Sequence, residues 1–382
     1  MRSLLLLALL APALACSRVT MATPNATVAV AGRTMDWPVD TTPDIVAAPV
    51  GQARDGGVGP GSLTWTANHG SVCTSFQGLG CVDGLNTAGL SCAINYLAEA
   101  DIADLKAARA AAAASTSAGS PAPPPLLSIT QWCQQALDLY ATVDEVVSAL
   151  GASPPPYTLT TLTLSTGDKA VGHLMLSDST GASVIVEPVA PAGTLALHRT
   201  SNVTADAQAD AVSVMTNGPL WPAMAALDQY QAIEGVTGGV PAGDASPDRF
   251  VRAAFWRRRT PVPSSPDAAT RAVRSIMRTV ASPIGVAATP GAPESCETQW
   301  MSVTDSTRLV YWLEPAGTLA VTVVPLAPLN LTSPASPVRL LETGTRQAEL
   351  GGEPGLEAWK VVPAGGLPGM AGYAGPVPGG EA

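Results

Sequence analysis

The order in which β-rich segments and helices follow one another restricts this chain more than any other feature. Cys16 to Ala22 and Thr27 to Met35 read as paired strands, and Leu90 to Tyr96 as an apolar strand entered through the turn Asp83-Gly-Leu-Asn86. Helices are expected at 128–139 and 142–150, the second beginning at Thr142 with Glu145 at the capping-box spacing. Strands return at 157–165, 171–177, 183–189, 194–198 and 211–216. Helices follow at 221–231, 248–259 and 267–281, then strands at 299–304, 308–314 and 319–324. Successive strand blocks joined by short connections pair antiparallel, and the helix blocks supply two outer layers. The pattern predicts an α+β fold in one domain, with two antiparallel sheets stacked between helices. A chain of 382 residues is long enough to bury such a core.

The ends of the chain read differently. Met1-Arg2, the apolar stretch Ser3 to Leu10 and the small residues around Ala13-Leu14-Ala15 predict a signal peptide over 1–15, cleaved before Cys16, and therefore a secreted or periplasmic protein. No stretch reaches the ~20 apolar residues of a stable membrane span. The folded domain is expected over 16–350. It is interrupted by the low-complexity insertion 106–125 and followed by the Gly/Pro-rich tail 351–382. With 20 Lys+Arg against 30 Asp+Glu, the charge of −10 argues against nucleic acid or an anionic surface as partner. Only His69, His173 and His198 are present, and CxxC, HExxH, P-loop and GxSxG patterns are missing from the sequence. Metal sites and His-based catalysis therefore start with little raw material.

A hairpin turning at Pro24-Asn25 pairs positions that sum to 49, which sets Cys16 opposite Arg33 at the ~4.8 Å spacing of neighbouring strands. Asp36 reaches the same corner if the strand bends near Gly32. A cysteine at the start of a mature chain carries its own general base, because its α-amine has a reference pKa of ~7.7–8.0. Arg33 would favour the thiolate, and Asp36 would orient the amine. Amide hydrolysis further needs N–H donors aimed at the tetrahedral oxyanion. The same cysteine is also where a lipoprotein would be acylated, although Ala13 stands where that processing favours Leu. Lipidation would block the amine, so the rival reading is a non-catalytic, lipid-anchored binding lipoprotein that keeps the fold.

Six segments in order carry a resemblance. They are Cys16-Ser-Arg with Gly-Arg33-Thr-Met-Asp36-Trp37, Asp83-Gly-Leu-Asn-Thr-Ala-Gly-Leu-Ser-Cys-Ala-Ile-Asn95-Tyr96, and Ser177-Asp-Ser-Thr-Gly-Ala-Ser-Val-Ile-Val-Glu187. Next come Met215-Thr-Asn217-Gly-Pro219, Gly243-Asp-Ala-Ser-Pro-Asp-Arg249-Phe-Val-Arg and Thr298-Gln-Trp-Met-Ser. Together they resemble the choloylglycine hydrolase/penicillin V acylase family of N-terminal-nucleophile (Ntn) hydrolases. The resemblance implies a four-layer αββα sandwich, without metal or organic cofactor, that hydrolyses a linear amide through a thioester on Cys16. It implies that Arg33 supports the thiolate and Asp36 holds the amine. Asn95 and Asn217 would serve the oxyanion, and Arg249 would organise charge around the site. Trp37 and Tyr96 are the expected substrate-binding residues, and a small N-acyl amide the expected partner. Conjugated bile salts, penicillin V, and N-acyl lipids or acyl-homoserine lactones are the candidate substrates, and a homotetramer is the implied assembly. Of the remaining cysteines, Cys73 and Cys81 flank a Gly-rich loop and are the first candidates for a bridge, while Cys92 reads as an inert core thiol.

Overall fold

The computed structural model describes residues 16–23, 27–114, 122–164, 167–199, 213–234, 240–286, 296–343 and 352–362; residues 1–15, where a signal peptide is expected, lie outside them. Two antiparallel sheets face each other. One has six strands, in the order Val214–Met215, β1 (Cys16–Ala22), β2 (Ala29–Trp37), Glu297–Asp305, Val310–Pro315 and Thr322–Pro325. The other has nine, running from Thr194–Arg199 through Ser183–Val189, Gly172–Ser177, Ser91–Tyr96, Gly80–Asn86 and Ser71–Phe76 to Ile45–Ala48, Arg339–Leu341 and Lys360–Val361. Cys16, Met35, Trp37, Ile45, Leu85, Trp300, Tyr311 and Leu313 fill the space between the sheets.

Each sheet buries its other face under helices. Ser246–Arg259 and Pro266–Val280 cover the six-stranded sheet, where Phe250, Val273 and Met277 meet Val19, Val30 and Val303. Gly32 in β2 permits the close approach: a Cβ there would lie 2.5 Å from Val273 Cγ1 and 2.7 Å from Met277 Cγ. Ile129–Leu139 and Val143–Leu150 cover the nine-stranded sheet through Trp132, Leu137 and Val146. Thr142 caps the second of these by accepting from the Glu145 amide at 3.2 Å, while the Glu145 carboxylate accepts from the Ala141 amide at 2.7 Å. The result is the expected α+β arrangement, an αββα sandwich.

Three expectations need correction. The hairpin register sums to 51 rather than 49, so Cys16 pairs with Met35 and Arg33 with Arg18. A shift of two preserves the alternation of faces, and Arg33 therefore stays on the Cys16 side of the sheet. Asp83-Gly-Leu-Asn86 is not a turn but the end of the buried strand Gly80–Asn86; the chain reverses after it, at Gly89 (φ +90°). The fold also continues past residue 350: Lys360–Val361 pairs with Arg339–Leu341, and Trp359 is buried. Of the insertion, Leu105–Ala114 is a helix and 115–121 lie outside the described residues.

Cys73 and Cys81 form a disulfide, as their spacing suggested. Cys133 Sγ lies 3.6 Å from Cys81 Sγ, and burial first, then hydrogen bonding with Cys92, pushes the Cys133 thiol well above its usual range. Cys92 is buried in the same cluster.

Candidate active site

β1 begins at Cys16, which puts its sulfur at the edge of the inter-sheet space. There Cys16 lines a cleft with Arg33, Met35, Trp37, Phe76, Asn95 and Tyr96. Arg33 crosses from β2 to the opposite sheet. Its Nη1 donates to the Val82 carbonyl and its Nη2 to the Ile94 carbonyl, both at 2.7 Å, and Nη2 lies 4.0 Å from Cys16 Sγ. Those carbonyl partners are neutral, so they hold the guanidinium in place without cancelling its charge. The Trp300 ring supports it from one side, with Cζ 4.9 Å from the centroid. Met35, which the sequence reading did not single out, sits between them with Sδ 3.8 Å from both Cys16 Sγ and Arg33 Nη2. The parity of the strand places it there, since Met35 is two residues from Arg33 and directly opposite Cys16.

Asn217 and Arg249 approach Cys16 along its backbone. The Cys16 nitrogen donates to Asn217 Oδ1 at 2.7 Å, and Asn217 Nδ2 donates to the Tyr96 carbonyl at 2.7 Å. Arg249 Nη1 donates to the Cys16 carbonyl at 2.6 Å and to Ser17 Oγ at 2.7 Å, while Nη2 donates to Asn217 Oδ1 at 2.6 Å. A run of arginines near a helix start usually faces solvent, yet Arg249 is fully buried and spends its donors on this corner. Asn95 donates through Nδ2 to the Thr216 carbonyl at 3.1 Å, and its buried Oδ1 has no partner among the described residues.

Asp36 alternates to the other side of β2 from Arg33 and Met35. Its Oδ1 accepts from Thr298 Oγ1 at 2.6 Å, and its Oδ2 is buried without a partner among the described residues. Burial raises its pKa to about 7, against the lowering effects of Arg249, Thr298, Thr34 and Arg33. Thr298 is a further site residue: it belonged to a recognised segment, but only the pairing of Glu297–Asp305 with β2 reveals its hydrogen bond to Asp36. Trp37 and Tyr96 both line the cleft. Trp37 meets Phe76 edge-on at 5.1 Å and Tyr96 at 6.3 Å between ring centroids. The rest of the cleft wall is mostly apolar, with Leu79, Ile129, Leu164 and Val171 beside Thr130. Among the described residues no group of three or more His, Cys, Asp or Glu is placed to hold a metal ion.

The structure thus brings Cys16, Arg33, Asn95, Asn217 and Arg249 to one corner, with Trp37 and Tyr96 in the adjoining cleft. Residues 16–338 match the model of the linear amide C–N hydrolases, choloylglycine hydrolase family. A penicillin V acylase from Pectobacterium atrosepticum is 31% identical over 360 residues, covering 89% of this chain and 88% of that protein. The structure of a penicillin V acylase from Agrobacterium tumefaciens superposes with a TM-score of 0.75 at 31% identity, covering 91% of this chain and 98% of the other. A conjugated bile acid hydrolase from Clostridium perfringens shares the fold, with a TM-score of 0.64 at 17% identity over 85% of this chain and 96% of its own. A thiol at the head of a strand, a charge-bearing cradle around it and this match over most of the chain lead to one assignment: the chain belongs to the choloylglycine hydrolase family of linear amide C–N hydrolases.

Proposed function

We propose that the chain is exported, loses residues 1–15, and acts as a cysteine acylase whose nucleophile is Cys16 and whose base is the α-amine exposed by that cleavage. The observation that carries this reading is the position of Cys16, the first residue of β1, with its sulfur in the cleft beside Arg33 and its nitrogen held by Asn217. In the reaction the Cys16 thiol adds to the carbonyl carbon of the substrate amide, and its proton passes to the α-amine. The tetrahedral intermediate collapses as the C–N bond breaks and the α-ammonium protonates the departing amine. Water then adds to the thioester and releases the carboxylic acid and the thiol.

Each neighbour has a part in this scheme. Arg33 stabilises negative charge on the sulfur. Asn217 retains a second amide N–H for the oxyanion, and the unpartnered Asn95 Oδ1 is an acceptor for the substrate's N–H. Asp36 neighbours the Met35 that pairs with Cys16, and its unpartnered Oδ2 is the acceptor assigned to the α-ammonium.

The apolar cleft with Trp37, Phe76 and Tyr96 suits an aromatic or aliphatic acyl group. Together with the greater similarity to the two penicillin V acylases than to the bile acid hydrolase, it favours an acylase of the penicillin V type. Turnover should be measured on penicillin V, glycocholate and an acyl-homoserine lactone, with Cys16→Ala as control. Penicillin V should be cleaved fastest, and Cys16→Ala should lose hydrolysis by at least 10³-fold with its circular dichroism and melting temperature intact. A Cys16→Ala protein that still turns over would reject the nucleophile. The intact mass of the exported chain separates the rival: an unmodified chain starting at Cys16 supports the hydrolase, and a diacylglyceryl adduct supports the lipoprotein.

A further inference from the structure

Asn217 holds the Cys16 nitrogen from a segment that is itself tied down: its amide donates to Ser246 Oγ at 3.0 Å, and two buried side chains outside the cleft reach the residues on either side of it. His173, in Gly172–Ser177, directs Nε2 at the Thr216 carbonyl, 2.9 Å away. Glu187, in the neighbouring strand Ser183–Val189, accepts the Trp221 amide at 2.9 and 3.0 Å through its two oxygens. His173 Nδ1 faces Glu187 Oε1 at 3.3 Å and joins the two pins. The stretch from Thr216 to Trp221 is therefore anchored at its start by an imidazole and at its end by a carboxylate, with Asn217 inside the bracket. Both neighbours of the His173 ring are oxygen acceptors, one facing each ring nitrogen. His198 completes the cluster, with Nε2 3.2 Å from Glu187 Oε2. Burial would raise the Glu187 pKa, but hydrogen bonds from His173 and His198, the charge of His173 and the Trp221 amide bring it down to about 2. Glu187 is thus a carboxylate throughout the working range of the protein.

We infer that His173 and Glu187 are positioning residues for amide hydrolysis, a clamp that holds the Thr216–Asn217 backbone so that Asn217 meets Cys16. This rests on the reading of Cys16 as nucleophile. Neither residue lines the cleft around Cys16, so the clamp acts on the rate of reaction and not on substrate capture. Asn95, which does line the cleft, donates to the same Thr216 carbonyl and ties the substrate-facing wall to the clamp.

Three variants test the clamp. His173→Leu removes the donor, His173→Gln restores an N–H near the same place, and Glu187→Gln keeps the shape while removing the charge. On the best amide substrate, His173→Leu should lower kcat at least 30-fold and Glu187→Gln at least fivefold, with KM within about twofold of the parent. His173→Gln should recover at least threefold of the loss seen in His173→Leu. A kcat within twofold of the parent in folded His173→Leu or Glu187→Gln, or a rise in KM alone, overturns the clamp. If His173→Leu does not fold, Glu187→Gln decides the matter on the same criteria. Crystal structures provide a readout independent of turnover: Asn217 Oδ1 should leave the Cys16 nitrogen in Glu187→Gln, and an unmoved Asn217 sinks the proposal. Failure of the parent reading looks different, since retained hydrolysis in Cys16→Ala would displace the nucleophile while the position of Asn217 still reports on the clamp.

Discussion

At Asp36 burial competes with neighbouring charge, and on the proposed cleavage before Cys16 a new α-amine would shift the balance. While the Cys16 nitrogen is in a peptide bond, burial dominates and the pKa rises from 3.8 to about 7. The folded precursor then holds the Asp36 proton more tightly than the unfolded chain does between those values. Its contribution to stability is complete below about pH 4 and is lost as pH rises through 7, by at most about 4 kcal/mol. Asp36→Asn should flatten this dependence. In urea titrations of the uncleaved chain the parent midpoint should fall between pH 4 and 7 relative to the variant, and parallel curves would refute the assignment. An α-ammonium created by cleavage favours the carboxylate, so the cleaved parent should lose less across the same window. Asp36 was legible in the sequence as a motif residue. Its unpaired oxygen was not, because that depends on which side of β2 it occupies and on Thr298, 262 residues away in sequence.

The hairpin β1–β2 shows how much of an element local chemistry specifies. Its strands were readable from their runs of β-branched and small residues, but their register differs by two from the one expected for a turn at Pro24-Asn25. Even parity kept Arg33 beside Cys16, and odd parity would have separated them. The outer face of the same hairpin depends on Gly32, where a side chain would meet Val273 and Met277 of Pro266–Val280. Gly32→Ala should cost about 1–3 kcal/mol through overpacking, read as a lower melting temperature. Val273→Ala in the same chain should return part of it. A Gly32→Ala protein as stable as the parent would show that the helix is free to move away. The helix start at Thr142 was legible because capping is a local bond between side chain and backbone.

Across the whole molecule the two sheets are joined by a buried polar network that no local pattern announced. Asp83 Oδ1 accepts from Arg18 Nη1 at 3.1 Å, and its Oδ2 accepts from Ser302 Oγ at 2.6 Å and Tyr311 OH at 2.8 Å. Arg18, Ser302 and Tyr311 belong to the six-stranded sheet and Asp83 to the nine-stranded one, so the network spans the interface. Asp83→Ala would leave the Arg18 guanidinium buried without its counter-charge, at a cost of about 3–5 kcal/mol. Pairing it with Arg18→Met should cost less than the single change. Urea unfolding of the two variants measures this, and a single-variant loss below 1 kcal/mol would show that the network does not bind the sheets. By itself the sequence determined the block order, the family, the Thr142 cap and most of the residues that surround Cys16. All of these depend on residue type and short spacing. Only the tertiary structure decided that Asp83 is a buried strand residue and not a turn, that Arg249 leaves the solvated face its neighbours suggested, and that His173 and Glu187 reach the Asn217 segment. Each of those roles is set by burial and by partners on distant strands, and no spacing along a chain encodes which strands will lie side by side.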